Sequence, residues 1–194
     1  LPGRNCCVHL LEKALPVPFG KRKGRPAGCG LHRLWQAGAG AAAFCPAEQY
    51  KICEDIPTRR KSDYRAWVSI MYGCNNFCSY CIIPFMRGGI RSKNIDIATE
   101  EINCLANNGY KEIVLTGIHT GSYGFENNEY RLSDLIFDLI NKFDNLYRIR
   151  ISSIEIVEID DKLINLISNS KVVVDHLHIP LQAGSDEILK RMNL

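Results

Sequence analysis

Gly73-Cys-Asn-Asn-Phe-Cys-Ser-Tyr-Cys-Ile-Ile-Pro84 is the stretch on which the reading of this chain turns. Its cysteines, Cys74, Cys78 and Cys81, are spaced C-x3-C-x2-C. The apolar run just before them, residues 66–72, reads as a buried strand. The cysteines therefore fall in the loop that leaves its C-terminal end. Three thiolates from one short loop can hold three irons of a cubane iron–sulfur cluster and leave the fourth iron open. A cluster with four protein thiolates mostly carries electrons, whereas an open corner can bind a substrate or cofactor.

Zinc or inert thiols are the plainer alternatives. Zinc sites usually pair two C-x2-4-C half-sites, or one such half-site with two histidines. No second half-site lies downstream, and Cys104 sits alone in a helical stretch, where it packs as a small apolar group. A disulfide framework is disfavoured, because the downstream segment has an ordinary apolar core pattern and needs no staples. Asn75 and Asn76 suit the irregular backbone of a loop wrapped round a cluster. Phe77 and Tyr80 put aromatic faces beside it, and Tyr80 could also stack on a purine.

Outward from the loop, the chain has two compositions. Residues 1–50 contain no Ile and no Asp and carry a net charge of +5; the remainder is rich in Ile, Asn and Asp and carries −2, which together give +3. Gly, Pro and Ala content makes residues 1–50 a poorly structured, basic leader, expected to be foreign to the fold. Its run Lys21-Arg-Lys-Gly-Arg25 reads as a solvated tail sooner than a nucleic-acid contact. Residues 51–64 are a linker and residues 65–194 the core. No apolar run is long enough for a secretory signal or a membrane span.

Beyond Pro84, helix and strand alternate. Residues 96–106 are helical, with Asn107-Asn108-Gly109 as the stop. Residues 112–117 form a short buried strand. Ser133 is placed as the N-cap of a helix whose stripe is Leu132, Leu135, Ile136, Leu139, Ile140 and Phe143. Residues 147–152 are the third strand, Asp160 caps a helix through Ile167, residues 172–179 hold a fourth strand, and Ser185 caps the last helix. Four β-α units in series predict parallel strands, in a barrel or an open doubly wound sheet.

Such folds bind ligands at the C-terminal ends of their strands. That rule selects the three cysteines, then Thr116 and Gly117, where glycine permits close backbone approach, then Ser152 and Ser153, then Pro180 and Gln182. His119 lies in a glycine-flanked loop at the same end, where a substrate contact is possible. Arg87 follows the cysteine loop and could meet a carboxylate or phosphate. His176 and His178 lie two apart, face one side of a strand, and read as a lining pair with no third metal ligand.

The motif resembles that of the radical S-adenosylmethionine (SAM) enzymes. Residues 70–88 resemble the methylthiotransferases, which insert a methylthio group into tRNA or a ribosomal protein. Leu115-Thr-Gly-Ile-His-Thr-Gly-Ser-Tyr-Gly124, Arg150-Ile-Ser-Ser-Ile-Glu155 and His176-Leu-His-Ile-Pro-Leu-Gln-Ala-Gly-Ser-Asp186 agree, and the first two look most like the threonylcarbamoyladenosine tRNA methylthiotransferases. The stretch 70–77 is also similar to the isopentenyladenosine relatives. The resemblance covers about residues 65–194.

It implies an α/β fold, a partial radical SAM (β/α) barrel with the first four β-α units, whose fourth strand ends as an exposed edge. It implies a 4Fe-4S cluster on Cys74, Cys78 and Cys81 with one open iron, chelated by SAM, and SAM contacts at Tyr80, Gly117, Ser153 and Gln182. The family reaction methylthiolates C2 of a modified adenosine at tRNA position 37, with tRNA as substrate and a donor such as flavodoxin or ferredoxin supplying electrons. The family also carries a second 4Fe-4S cluster; no ligands for it are identified here among Cys6, Cys7, Cys29, Cys45 and Cys53. Without that site the chain is expected not to complete methylthiolation. A cytoplasmic setting follows from oxygen-labile clusters and free thiols. A non-catalytic iron–sulfur module is the alternative of a different class.

Overall fold

The computed structural model describes residues 60–127 and 130–194. The chain divides into two units, Leu1–Lys51 and Ile52–Leu194, and every described residue belongs to the second. The expectations for residues 1–50 and for their cysteines, and for Cys53, lie outside the described residues.

The first strand, β1 (Arg65–Tyr72), alternates as its sequence demands: Ala66, Val68 and Ile70 are buried on one face, while Trp67 on the other is half exposed. A short helix α1 (Ile83–Arg87) follows the cysteine loop, with Pro84 in its first turn. The chain then returns through a two-residue strand β2 (Arg91–Ser92), antiparallel to the end of β1. Neither α1 nor β2 is periodic enough to be read from sequence. Helix α2 (Ile95–Asn107) begins at Asn94, whose side chain accepts hydrogen bonds from the Asp96 and Ile97 amides. It buries Ala98, Ile102 and Leu105.

Strand β3 (Glu112–Gly117) has the bounds the sequence predicts and lies at the centre, buried on both faces from Glu112 to Leu115. It pairs in parallel with β1 and with β4 (Arg148–Ile151), giving the order β2-β1-β3-β4. Between them, α3 (Leu132–Lys142) buries Leu132, Leu135, Ile136 and Leu139, and Ile140 and Phe143 pack against the same core. Helices α4 (Asp161–Asn169) and α5 (Asp186–Met192) complete the order.

Three expectations are corrected here. Ser133 is not the N-cap of α3. The helix starts two residues earlier, behind Arg131, whose amide donates to the Asp134 carboxylate at 2.8 Å. Ser133 is buried and donates instead to Asp160 at 2.7 Å, tying the start of α3 to the cap of α4. Asp160 does cap α4, accepting from the Leu163 amide at 2.6 Å, but the helix runs on to Asn169. Ser185 stands at the N-cap of α5 without a side-chain cap bond. The fourth strand is reduced to two isolated parallel bridges, Ile149 with Val173 and Ser153 with His178. β4 is only four residues long, and the stretch between the bridges leaves the ladder. The architecture is thus a curled half-barrel sheet with its fourth position marked but not filled by a regular strand.

At the opposite end of the sheet from the cysteines, Glu112 is a charge in a buried strand, its side chain only 4% exposed. Arg150 meets it at 2.9 Å, Arg65 at 3.2 Å and Arg148 at 3.8 Å. Burial pushes the carboxyl up, but the bonds from Arg150 and Arg65 outweigh it and hold it below its ordinary value. Glu112→Gln should cost about 2 kcal/mol, less than a fully buried broken pair because the arginines keep some solvent. As pH falls, the unfolded chain takes up the proton first. The contribution is therefore present above the ordinary carboxylate range and lost as pH drops through the folded value. Urea titrations of native and variant proteins should differ at neutral pH and converge in acid. A gap that persists in acid would place the effect on packing, not charge.

Candidate metal centre

Gly73 closes β1 and opens the cysteine loop. Its φ is +72°, and a Cβ there would lie 2.0 Å from the Gly89 carbonyl oxygen, so only glycine lets the two backbones touch. The Cys74 amide donates to the Gly88 carbonyl at 3.2 Å, which locks the loop onto the end of α1. Cys74, Cys78 and Cys81 are all free and half-buried on this loop. The Cys81 amide donates to the Cys78 carbonyl at 2.9 Å, a turn that brings those two residues round together. Phe77 and Phe85 pack edge to face at 5.7 Å.

Among the described residues, no group of three or more His, Cys, Asp or Glu side chains is arranged to hold a single metal ion. That does not count against a cubane, whose thiolates bind different irons and stand wider apart than the ligands of one ion. Reduced, half-buried thiols of one loop are the donor set such a cluster takes, and in this respect the residues fit it.

Sequence reasoning singled out His119 but missed its partners behind the loop, Glu158 and Ser122. His119 Nε2 lies 2.9 Å from the Glu158 carboxylate, and Glu158 is 3% exposed. Ser122 donates to the same carboxylate at 2.7 Å and lies 3.1 Å from His119 Nδ1. Gly121 makes room: a Cβ there would strike Glu158. His119 also hydrogen-bonds the Cys74 side chain, and that bond, with the one to Glu158, pushes the imidazole up to about 10. In return, chiefly through this bond, the Cys74 thiol is lowered, while burial raises Cys78. Burial pushes Glu158 up, but its bonds from His119 and Ser122 hold it low. The clue available in sequence was a pair of acidic residues, Glu155 and Glu158, inside the apolar run 154–159.

Of the residues expected to contact SAM, Tyr80 and Gln182 are brought together: the Tyr80 hydroxyl donates to Gln182 Oε1 at 3.0 Å. Gly117 lies at the end of β3, and the space of its missing Cβ is occupied by Met71 of β1 at 2.6 Å. Close strand packing alone therefore requires glycine there. Ser153 bridges to His178 through its backbone. His176 is exposed, with Nδ1 at 3.4 Å from Arg150. Arg87 is exposed, and its carbonyl accepts from Arg91. Cys104, half-buried on α2, accepts from Asn108.

The comparisons with known proteins can be set beside this geometry. A tRNA-2-methylthio-N(6)-dimethylallyladenosine synthase of Desulforamulus reducens is 44% identical over 149 residues, 76% of this chain and 32% of its own. The threonylcarbamoyladenosine tRNA methylthiotransferase MtaB of Bacillus subtilis is 48% identical over 128 residues, 66% of this chain and 28% of its own. The chain thus spans about a third of the length of the curated relatives it matches. A solved structure of the radical S-adenosylmethionine methyltransferase TsrM from Kitasatospora setae shares the fold, with a TM-score of 0.53 at 15% identity over 66% of this chain and 24% of that one. Residues 68–193 match the profile of the Radical SAM superfamily, with Cys74, Cys78 and Cys81 on the loop after the first strand inside the matched span, and the chain belongs to that superfamily.

Proposed function

We propose that this chain is the SAM-cleaving core of a tRNA methylthiotransferase acting at C2 of N6-threonylcarbamoyladenosine, position 37. The observation that carries the reading is the C-x3-C-x2-C loop at the C-terminal end of β1, in a chain similar to two kinds of tRNA methylthiotransferase. Cys74, Cys78 and Cys81 would hold a 4Fe-4S cluster, which when bound supplies the electron and the open coordination site for reductive cleavage of SAM. Phe77 and Tyr80 present exposed aromatic faces on the loop's outer side. His119, fixed by Glu158 and Ser122, faces Cys74 and lowers its thiol. Tyr80 and Gln182, already joined, form one wall for the cofactor, with Gly117 and Ser153 at the neighbouring strand ends. The partners are tRNA and an electron donor such as flavodoxin or ferredoxin, in a reducing cytoplasm. The leader 1–50, the linker 51–64 and the core 65–194 are the domain organisation we propose.

A second reading, the dimethylallyladenosine nucleoside as substrate, is favoured by the longer match to relatives of that name. The uninterrupted reading frame that contains this core would be expressed in cells lacking their own tRNA methylthiotransferases, and their tRNA and ribosomal proteins analysed by mass spectrometry. The methylthio group is expected on threonylcarbamoyladenosine. Its appearance on the dimethylallyl nucleoside moves the substrate to the second reading. Its appearance on a ribosomal protein overturns tRNA as substrate. The purified 194 residues, reconstituted anaerobically, are expected to bind one cluster at most and to leave tRNA unmodified.

A further inference from the structure

Backbone strain is concentrated at one junction. Among the described residues, three that are not glycine have positive φ: Phe77 at 49°, Gln182 at 62° and Asn193 at 58°. A bulky residue such as Phe77 seldom adopts this conformation, and it persists only where its surroundings impose it. Phe77 and Asn193, 116 positions apart, are joined by a hydrogen bond, and Gln182 reaches the same loop through Tyr80.

Phe77 forms the turn between Cys74 and Cys78, so its conformation sets where those two thiols stand relative to one another. The bonds that fix it come from the far end of the described chain. Asn193 Nδ2 donates to the Phe77 carbonyl at 3.2 Å and to the Asn76 carbonyl at 3.4 Å. The Ser79 amide donates to the Met192 carbonyl at 2.9 Å, and the Ser79 hydroxyl to the Arg191 carbonyl at 3.2 Å. Tyr80 closes the other side onto Gln182 at 3.0 Å. The left-handed turn at Asn193 is what ends α5 and frees its last carbonyls to accept from Ser79.

We propose that Asn193 is a positioning residue for the cysteine loop, and that residues 182–193 form a strap across it which holds Phe77 in its strained turn and so sets the thiol spacing before any cluster is bound. The strap touches the loop through backbone groups and through the side chains of Asn193, Ser79, Tyr80 and Gln182, not through the cysteines. The inference concerns the same site as the proposed function and rests on that reading only for the cluster, not for the strap.

Three variants separate the parts. Asn193→Gly keeps the left-handed turn and loses the amide donor. Asn193→Asp tolerates the turn, but its carboxylate cannot donate to a carbonyl. Asn193→Ala loses both. In the metal-free 194-residue protein, hydrogen exchange at the Ser79 amide is expected to quicken by roughly five- to tenfold in Asn193→Gly and Asn193→Asp, the loss of one or two hydrogen bonds, and further in Asn193→Ala. The amides of Val114 and Ile149 in the central strands are expected to stay unchanged. If Asn193→Ala also loosens those strands, Asn193→Gly decides. In the iron-loaded protein, visible circular dichroism of the thiolate-to-iron bands should change shape in all three variants, and a chelator should bleach them faster. Unchanged Ser79 exchange in both Asn193→Gly and Asn193→Asp would overturn the strap. A protein that takes up no iron defeats the proposed function instead, and leaves the exchange result to stand or fall alone.

Discussion

Cys78→Ala is expected to bring the iron retained after anaerobic reconstitution and desalting down to background. Each thiolate of a three-cysteine loop owns one iron. Removing one leaves two irons without protein ligands, and a cubane with two open corners is readily dismantled by chelators. Cys81→Ala should do the same. Cys74→Ala should lose iron and also stability, because the thiol that faces His119 disappears and the imidazole keeps Glu158, Ser122 and Asn76 alone. Cys104→Ala is the control: that thiol lies on α2 and accepts from Asn108, away from the loop, and its loss should leave iron content unchanged. Iron and sulfide analysis with visible absorbance reads all four. Equal loss of iron in Cys104→Ala would sink the assignment of the three-cysteine loop as the whole ligand set.

Gly73→Ala is the largest effect expected from a single methyl group. A Cβ at Gly73 meets the Gly89 carbonyl oxygen at 2.0 Å and the Gly88 carbonyl oxygen at 2.5 Å, and both are backbone atoms that no rotamer change can move aside. The residue would also be held at φ +72°, which alone costs an L-residue about 1–2 kcal/mol. Overpacking adds about 1–3 kcal/mol, so a total near 3 kcal/mol is expected. The alternative to that cost is retreat of the loop from α1, which would carry Cys74 with it. Two other glycines calibrate the figure. Gly109→Ala has open space but φ +92°, and should show the strain term alone. Gly184→Ala has open space and no positive φ, and should be nearly neutral. Urea unfolding of the three variants with unchanged slope would test the series. A Gly73→Ala midpoint no lower than that of Gly109→Ala would show that the close approach to Gly88 and Gly89 is not maintained in solution.

What could be read from the sequence were features written in short range. Strand β3 matched its expected bounds because a run of β-branched and apolar residues between Lys111 and a glycine has one local solution. Helix α2 was legible from its apolar spacing and its stop, although its cap proved to be Asn94. The cysteine loop was legible because three thiols at that spacing have few chemical uses. Features that depend on distant partners were not legible. Ser133 looked like a cap by position and propensity, but a buried hydroxyl follows the acceptor it finds, here Asp160 of another element. Glu158 gained its role only when the turn after β4 folded against Gly121. Residues 172–179 have strand composition, but composition supplies no neighbour, and a ladder forms only where one exists. Asn193 had no local mark at all: its partners, Asn76 and Phe77, are reached only through the closed fold.

The outer edge of β1 has a consequence for how this sheet can grow. The Trp67 carbonyl there is taken by the Arg60 guanidinium, the Ile70 carbonyl by the Lys93 amide, and Met71 and Tyr72 by β2. A strand arriving on that side, whether from the same chain or from another molecule, finds its hydrogen-bonding groups already engaged. On the side beyond β4, the Ile149 amide and carbonyl are engaged by Val172 and Val174, and Ser153 bridges to His178, with no regular strand between the two points. The β1 side is therefore closed to a competing strand, while the β4 side is held at two points only.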